Sequence, residues 1–350
     1  MTGFNYVNLG YRQTHTIMDS LGMVSVKINL SSFLQWRINV FLYKRLSWKI
    51  AFFYIWILGN LYFFLNRKEK WKVESAIHTV FADHKNYSEI NAVTRNVFRG
   101  ILSHYYEKLF NAFSSVEILK TFLEMHIKSQ GITSINQALS NGKGVLLITG
   151  HFGGVEYIPA YLAANNYPVT IIARFSSDHL RDISIQKAGK FATRIIDADN
   201  TPNIMKAIFD NLRENRIVIT QCDEIGEWRP SRQDTLFFLG KQINSDRTIN
   251  ILLKRCCASI VFCIMHRDNN HGYQFIAHSL EEVAGQILSL GDLSSGAKML
   301  KFLEKYIYKF PEQWYQWSKY SDMKTLPSSD IMTERPSPLS LLRPSLGKVS

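Results

Sequence analysis

The sequence predicts an α/β protein in which a mostly parallel central sheet is flanked by helices, preceded by a membrane-associated helical region. Three observations carry this expectation. Short apolar runs alternate with helical periodicity from residue 142 onward, the pattern of a sheet covered on both faces. One of them, Val145–Thr149, is apolar throughout up to its closing threonine, as a fully buried parallel strand requires. Upstream, Ile50–Leu65 (IAFFYIWILGNLYFFL) is uncharged and rich in aromatics.

Taken in order, residues 1–49 form an N-terminal segment that opens on a polar stretch without the apolar core of a cleaved signal peptide. An amphipathic patch lies near 33–46. Residues 50–66 are read as the apolar helix. Its sixteen uncharged residues reach ~24 Å, short of a ~30 Å hydrocarbon core. Lys44, Arg45 and Lys49 precede it, and Arg67, Lys68, Lys70 and Lys72 follow. The expectation is therefore a helix that dips into or lies along a leaflet, with Trp and Tyr at headgroup level; a short tilted or mismatched span and a buried helix of a soluble protein are the alternatives.

Residues 67–141 show helical spacing at Val73/Ala76/Ile77/Val80, Val97/Ile101/Tyr105/Leu109 and Ile118/Phe122/Met125, predicting a helical region that packs on the core. The core is assigned to 142–325. Strands are expected at 145–149, 168–173, 194–197, 216–221, 235–239, 259–265 and 273–278. Helices are expected at 155–164, 179–191, 202–211, 249–255 and 295–308. The Ser- and Pro-rich stretch 326–350 is expected to be a disordered tail.

Composition narrows the function. The net charge of +12 and pI near 9.4 point to acidic partners: anionic lipid, an acidic carrier protein or nucleic acid. The basic residues form no aromatic-interleaved stripe, which argues against nucleic acid. Cys222, Cys256, Cys257 and Cys263 make no C-x-x-C pair, so reduced thiols are expected. No Walker motif, dinucleotide fingerprint or G-x-S-x-G elbow is present. His266, His271 and His278 lack a supporting set of acidic ligands. No metal or cofactor is expected.

Chemistry concentrates in Gly150-His151-Phe152-Gly153-Gly154-Val155-Glu156. A buried strand delivers His151 to the carboxyl end of the sheet, where open α/β sheets bind ligands. The double glycine permits a tight turn, and Glu156 falls in the first turn of the next helix. An imidazole facing a carboxylate has its tautomer fixed and its conjugate acid stabilised, which suits a base acting on an alcohol. The N–H groups of Gly153 and Gly154 are candidate oxyanion donors. The bland alternative is a helix-start glutamate beside a structural histidine.

This segment resembles the signature of the bacterial lipid A biosynthesis acyltransferases, the late lauroyl/myristoyl transferases, which carry H-x4-D/E in a similar His-Phe-Gly context. Further likenesses follow in order. Arg174 resembles the family's substrate-contacting arginine, and Asp223 its acidic residue after a buried strand. Phe237-Phe238-Leu239-Gly240 resembles its phenylalanine-glycine element, and Phe310-Pro311-Glu312-Gln313-Trp314 its closing segment.

The resemblance spans roughly residues 50–320 and departs in two places. Gly154-Val155 stands where Asn-Trp is common, and Ser245-Asp246-Arg247-Thr248 replaces a small-residue Gly-Pro-Ala segment. It implies a membrane-bound O-acyltransferase at the cytoplasmic face of a bacterial inner membrane. The donor would be an acyl thioester, on acyl carrier protein, and the acceptor a lipid hydroxyl. His151 and Glu156 would be the catalytic pair, with Arg174 and Asp223 at the substrate. Read from their positions near the strand ends, Arg229, Arg232, Lys241 and Arg247 are candidates for receiving an acidic carrier or equally for a solvated basic face, and Glu224 beside Asp223 is a candidate for orienting substrate or Arg229. An acyl-ester hydrolase and a non-catalytic basic lipid-binding protein are the alternatives.

Overall fold

The computed structural model describes residues 48–175, 178–268, 272–287 and 293–325, with short pieces at 16–18, 24–26, 30–34 and 39–42. The expected tail at 326–350, most of the segment 1–49 and His271 lie outside the described residues.

The first described strands, β1 (Thr16–Met18) and β2 (Val24–Val26), pair antiparallel. The apolar helix runs over Trp48–Leu65. Asn66 then caps a basic helix, Arg67–Phe81, by accepting from the Glu69 N–H, and the two helices meet at 94°. Among the described residues no single helix is long and apolar enough to cross a membrane. The long helix, Tyr87–Phe113, starts in a capping box in which Asn86 and Glu89 satisfy each other's free N–H groups. It ends where Ser115 caps the next helix, Val116–His126.

The core is a seven-stranded mixed sheet. Its strands are β3 (Ile127–Gln130), β4 (Val145–Thr149), β5 (Val169–Ala173), β6 (Arg194–Asp197), β7 (Ile217–Gln221), β10 (Ser259–Arg267) and β11 (Tyr273–Ser279). Their spatial order is β3-β11-β10-β4-β7-β5-β6. Strands β10, β4, β7, β5 and β6 are mutually parallel, while β11 returns antiparallel to β10 and pairs parallel with β3. Every residue of β4 is buried, as its apolar sequence predicts. Helices cover both faces.

Two elements differ from expectation. The region 67–141 is not all helical, because β3 interrupts it. Only Ile127 of β3 is buried; an edge strand held by backbone hydrogen bonds leaves little apolar periodicity to read. The strand at 235–239 belongs to a separate hairpin, β8 (Pro230–Phe238) with β9 (Lys241–Asp246), and not to the central sheet.

The closing helix, Ser295–Lys309, is capped by Ser294 and buries Met299, Leu300, Phe302, Leu303 and Ile307. Its buried Lys301 and Glu304 pair with each other while binding the Phe237 carbonyl and the Leu239 N–H, which ties the hairpin to the core. The chain then folds back over the sheet edge through Pro311–Gln313 and Trp317–Asp322. Trp314 and Trp317 are wholly buried and pack edge to face at 4.9 Å. Truncating a buried Trp of this kind costs about 3–5 kcal/mol.

Candidate active site

Strands β4 and β7 are neighbours, with Thr149 opposite Gln221. The Cys222 N–H donates to the Thr149 carbonyl at 2.9 Å, so the ladder continues past the strand ends. His151 and Asp223 consequently leave the sheet side by side at its carboxyl edge. The His151 backbone N–H donates to both Asp223 oxygens at 3.0 Å, and its Nδ1 lies 2.8 Å from Asp223 Oδ1.

Asp223 is fully buried. A buried carboxylate is costly unless its oxygens are satisfied, and here the Trp314 indole N–H completes the set, donating to Oδ2 at 2.7 Å. The other imidazole nitrogen, Nε2, lies 3.3 Å from Glu224 Oε2, and Lys319 Nζ lies 3.3 Å from the second Glu224 oxygen.

The electrostatics follow from this geometry. Burial of the His151 ring opposes its charge, but Asp223 at one nitrogen and Glu224 at the other outweigh it, and the pKa rises to about 9. Burial likewise opposes charge on Glu224, but His151 and then Lys319 hold its pKa down at about 2. At neutral pH the site is an imidazolium gripped by two carboxylates.

Tyr315 roofs the histidine. Its N–H donates to the His151 carbonyl at 3.2 Å, and its ring meets the imidazole edge-on at 5.2 Å. The Tyr315 ring also stacks on His104 of the long helix at 3.5 Å. Burial, helped by the nearby cations Lys108 and Arg267 and by His151, pushes the His104 pKa well below the ordinary imidazole value, so this ring is neutral.

The expected partner of His151 needs correction. Glu156 sits in a single 3-10 turn, Val155–Tyr157, and its carboxylate faces His104 Nε2 at 3.8 Å. Both nitrogens of His151 are already taken by Asp223 and Glu224, so Asp223, not Glu156, orients the imidazole. The separation from the neutral His104 exceeds hydrogen-bonding distance, so that contact is a polar one only.

Gly153 and Gly154 also differ from expectation. The Gly153 N–H donates to the Gln313 carbonyl and the Gly154 N–H to the Met265 carbonyl, each at 2.8 Å. Neither is free to receive an oxyanion. What the turn needs from Gly153 is steric: its φ is +59°, and a Cβ there would collide with the Met265 carbonyl.

Arg174 follows β5 on the same sheet edge, with Glu227 at 2.5 Å and Asp199 at 3.5 Å. Its charge is thus balanced by carboxylates in this state. Lys241, a candidate for meeting an acidic carrier, instead donates to the Tyr320 carbonyl at 2.7 Å and lies over that ring. The Arg232 side chain lies outside the described residues. His266 packs on Phe310, and His278 lies 3.3 Å from the Tyr306 hydroxyl.

Tyr315, His104 and Glu107 complete the neighbourhood without having been singled out from sequence. One signal for two of them was legible. Ile101, His104 and Glu107 follow at three-residue spacing on the buried face of the long helix, where a histidine and a glutamate in an apolar stripe call for partners.

The sequence model of the family described as bacterial lipid A biosynthesis acyltransferase matches residues 43–319, from ahead of the apolar helix through the aromatic segment over His151. A search of curated protein sequences returns no match to this chain. With the family match covering the sheet, both sides of the His151 site and the segment that closes it, the chain belongs to the bacterial lipid A biosynthesis acyltransferase family.

Proposed function

We propose that this acyltransferase works at the cytoplasmic surface of a bacterial inner membrane, moving a fatty-acyl chain from an acyl thioester, carried on acyl carrier protein, to a hydroxyl of a lipid A precursor or related glycolipid or phospholipid. The observation that carries the reading is His151 Nδ1 held 2.8 Å from the buried carboxylate of Asp223 at the carboxyl edge of the sheet. That arrangement leaves Nε2, now against Glu224, as the nitrogen that can serve as proton acceptor.

The acceptor hydroxyl would take the place of Glu224 at Nε2, leaving Glu224 to Lys319. Displacing this carboxylate removes one of the two charges that keep the ring protonated, so Nε2 gives up its proton to solvent and the neutral imidazole meets the acceptor hydroxyl. In the step itself, the hydroxyl proton moves to Nε2 while its oxygen bonds to the thioester carbonyl carbon. The tetrahedral intermediate then collapses, the C–S bond breaks, and the thiolate takes the proton back from the imidazolium. Asp223 holds the imidazolium throughout. Arg174 would receive an anionic headgroup, exchanging a contact with Glu227 or Asp199 for a phosphate.

Membrane seating is supported by the apolar helix. Phe53, Phe64 and Leu65 are more than half exposed, and Trp56, Ile57 and Leu61 nearly so. An uncovered apolar face of this extent marks an interaction surface. The basic helix turns away at 94° with an exposed Trp71 beside its lysines, as an interfacial helix at anionic headgroups would.

Purified protein supplied with a labelled acyl thioester and lipid acceptors tests the reading. Label appearing in an ester-linked lipid supports it. Release of free fatty acid alone would make the protein a hydrolase, and binding without turnover a lipid-binding protein.

A further inference from the structure

Behind the His151 turn lies a charged pair that the proposed chemistry does not use. Glu107, in the long helix, has a side chain only 1% exposed and receives a bidentate contact from Arg267 at the end of β10, with Nε to Oε1 at 2.6 Å and Nη2 to Oε2 at 2.9 Å. The Tyr273 hydroxyl donates to the same carboxylate at 3.0 Å. The Arg267 guanidinium also reaches forward: Nη2 donates to the Gly153 carbonyl at 2.9 Å.

The other side of Gly153 is held through the same arginine. Gln313 accepts from the Arg267 N–H at 2.8 Å and donates to its carbonyl at 3.1 Å, while its own carbonyl receives the Gly153 N–H. Both polar groups of Gly153 are therefore fixed by Arg267 or by a residue clamped to it.

Stability alone explains this poorly. A buried ion pair is often no better than apolar residues of the same volume. An arginine fork, in contrast, can serve a carboxylate and a carbonyl together. Gly153 lies two residues beyond His151, whose N–H must stay in register with Asp223.

We propose that Glu107 and Arg267 form a positioning latch that holds the His151 turn in register with Asp223 from the long helix. The catalytic consequence rests on the reading of His151 as the base. The latch itself is a claim about geometry. It also joins the turn to the N-terminal helices, because the long helix packs on the apolar helix where Gly59 meets Leu102.

Two variants of the full-length protein test it. Arg267→Lys keeps a cation beside Glu107 but loses the fork. The double variant Glu107→Leu/Arg267→Met removes both charges and leaves none unpaired. For each we measure thermal unfolding, kcat, KM for both substrates, and the His151 imidazole titration by NMR without substrate. Arg267→Lys should lower kcat about tenfold to a hundredfold, the range a misplacement of ~1 Å produces, with both KM values unchanged. Its His151 midpoint should move from about 9 toward the ordinary value as contact with Asp223 loosens.

The double variant should unfold near the wild-type temperature and show the same losses. A purely structural pair predicts altered unfolding with normal kcat and an unmoved His151 midpoint in the folded protein. That result, in either variant, overturns the latch. Should wild-type protein show no acyl transfer, the reading of His151 as base fails, while the titration midpoints still decide the latch.

Discussion

His151 and Asp223 stand opposite one another because each lies two residues past a paired position, Thr149 and Gln221, on adjacent parallel strands. Seventy-two residues of chain separate them, yet the sheet register brings imidazole and carboxylate to 2.8 Å. The Trp314 indole then fixes the carboxylate from the far side.

If His151 is the base, His151→Ala should lower kcat by about 10²–10⁴ with folding retained. Asp223→Asn should give a comparable loss, because the amide no longer selects the tautomer or stabilises the imidazolium. The double variant should be scarcely worse than His151→Ala, since residues acting as one unit are non-additive. A folded His151→Ala protein with near-normal transfer would remove the mechanism.

The pH dependence should distinguish the carboxylates. The base must be neutral, so kcat/KM should rise with pH toward a midpoint near the free-enzyme value of about 9. Asp223 and Glu224 face this imidazole, with Lys319 behind Glu224 and His104 across Tyr315. Glu224→Gln should move the midpoint down. Glu156→Gln should leave it in place, because that carboxylate meets His104 instead. A midpoint that fell with Glu156→Gln and not with Glu224→Gln would reverse the assignment.

Stability should carry the same signature. The folded-state pKa of His151 is raised, so its contribution is complete below the ordinary imidazole value and is lost as pH rises through about 9. The depressed Glu224 contributes above the ordinary carboxylate range, and that part is lost as pH falls through about 2. Denaturant unfolding at roughly pH 6 and pH 10 should therefore show a larger alkaline loss for wild type than for His151→Ala. Equal losses would mean that the imidazolium is not held by its carboxylates.

Arg174→Ala should raise the KM for the acceptor more than for the thioester, and Arg174→Lys should recover only part of it if the contact is bidentate. Since Glu227 and Asp199 now hold the guanidinium, Glu227→Gln should tighten acceptor binding modestly. An unchanged acceptor dependence in Arg174→Ala takes this residue out of the site.

Membrane seating can be tested on the surface alone. Phe53, Trp56 and Leu61 are exposed on the apolar helix, so Phe53→Glu/Trp56→Glu/Leu61→Glu should change stability little. Co-sedimentation with vesicles containing anionic lipid should fall sharply. Unchanged sedimentation of the unaggregated triple variant would place the membrane contact elsewhere.

Local pattern was enough for much of this molecule. Val145–Thr149 announced a buried strand by continuous apolar character, and the glycines after it announced a turn that puts His151 at the sheet edge. The likeness of 149–156 to an acyltransferase signature pointed to the family that the match over 43–319 establishes. Partner choice was not local. Glu156 is near His151 in sequence, but a 3-10 turn sends its carboxylate to His104.

Asp223, reached only through the pairing of β4 with β7, takes the place Glu156 was expected to fill. The glycine N–H groups were legible as donors, but only the fold reveals that the Gln313 and Met265 carbonyls already use them. Periodicity records which face of an element is buried. Which side chains meet across strands far apart in sequence is decided by sheet register and by the need to satisfy each buried polar group, and that exists only once the chain has folded.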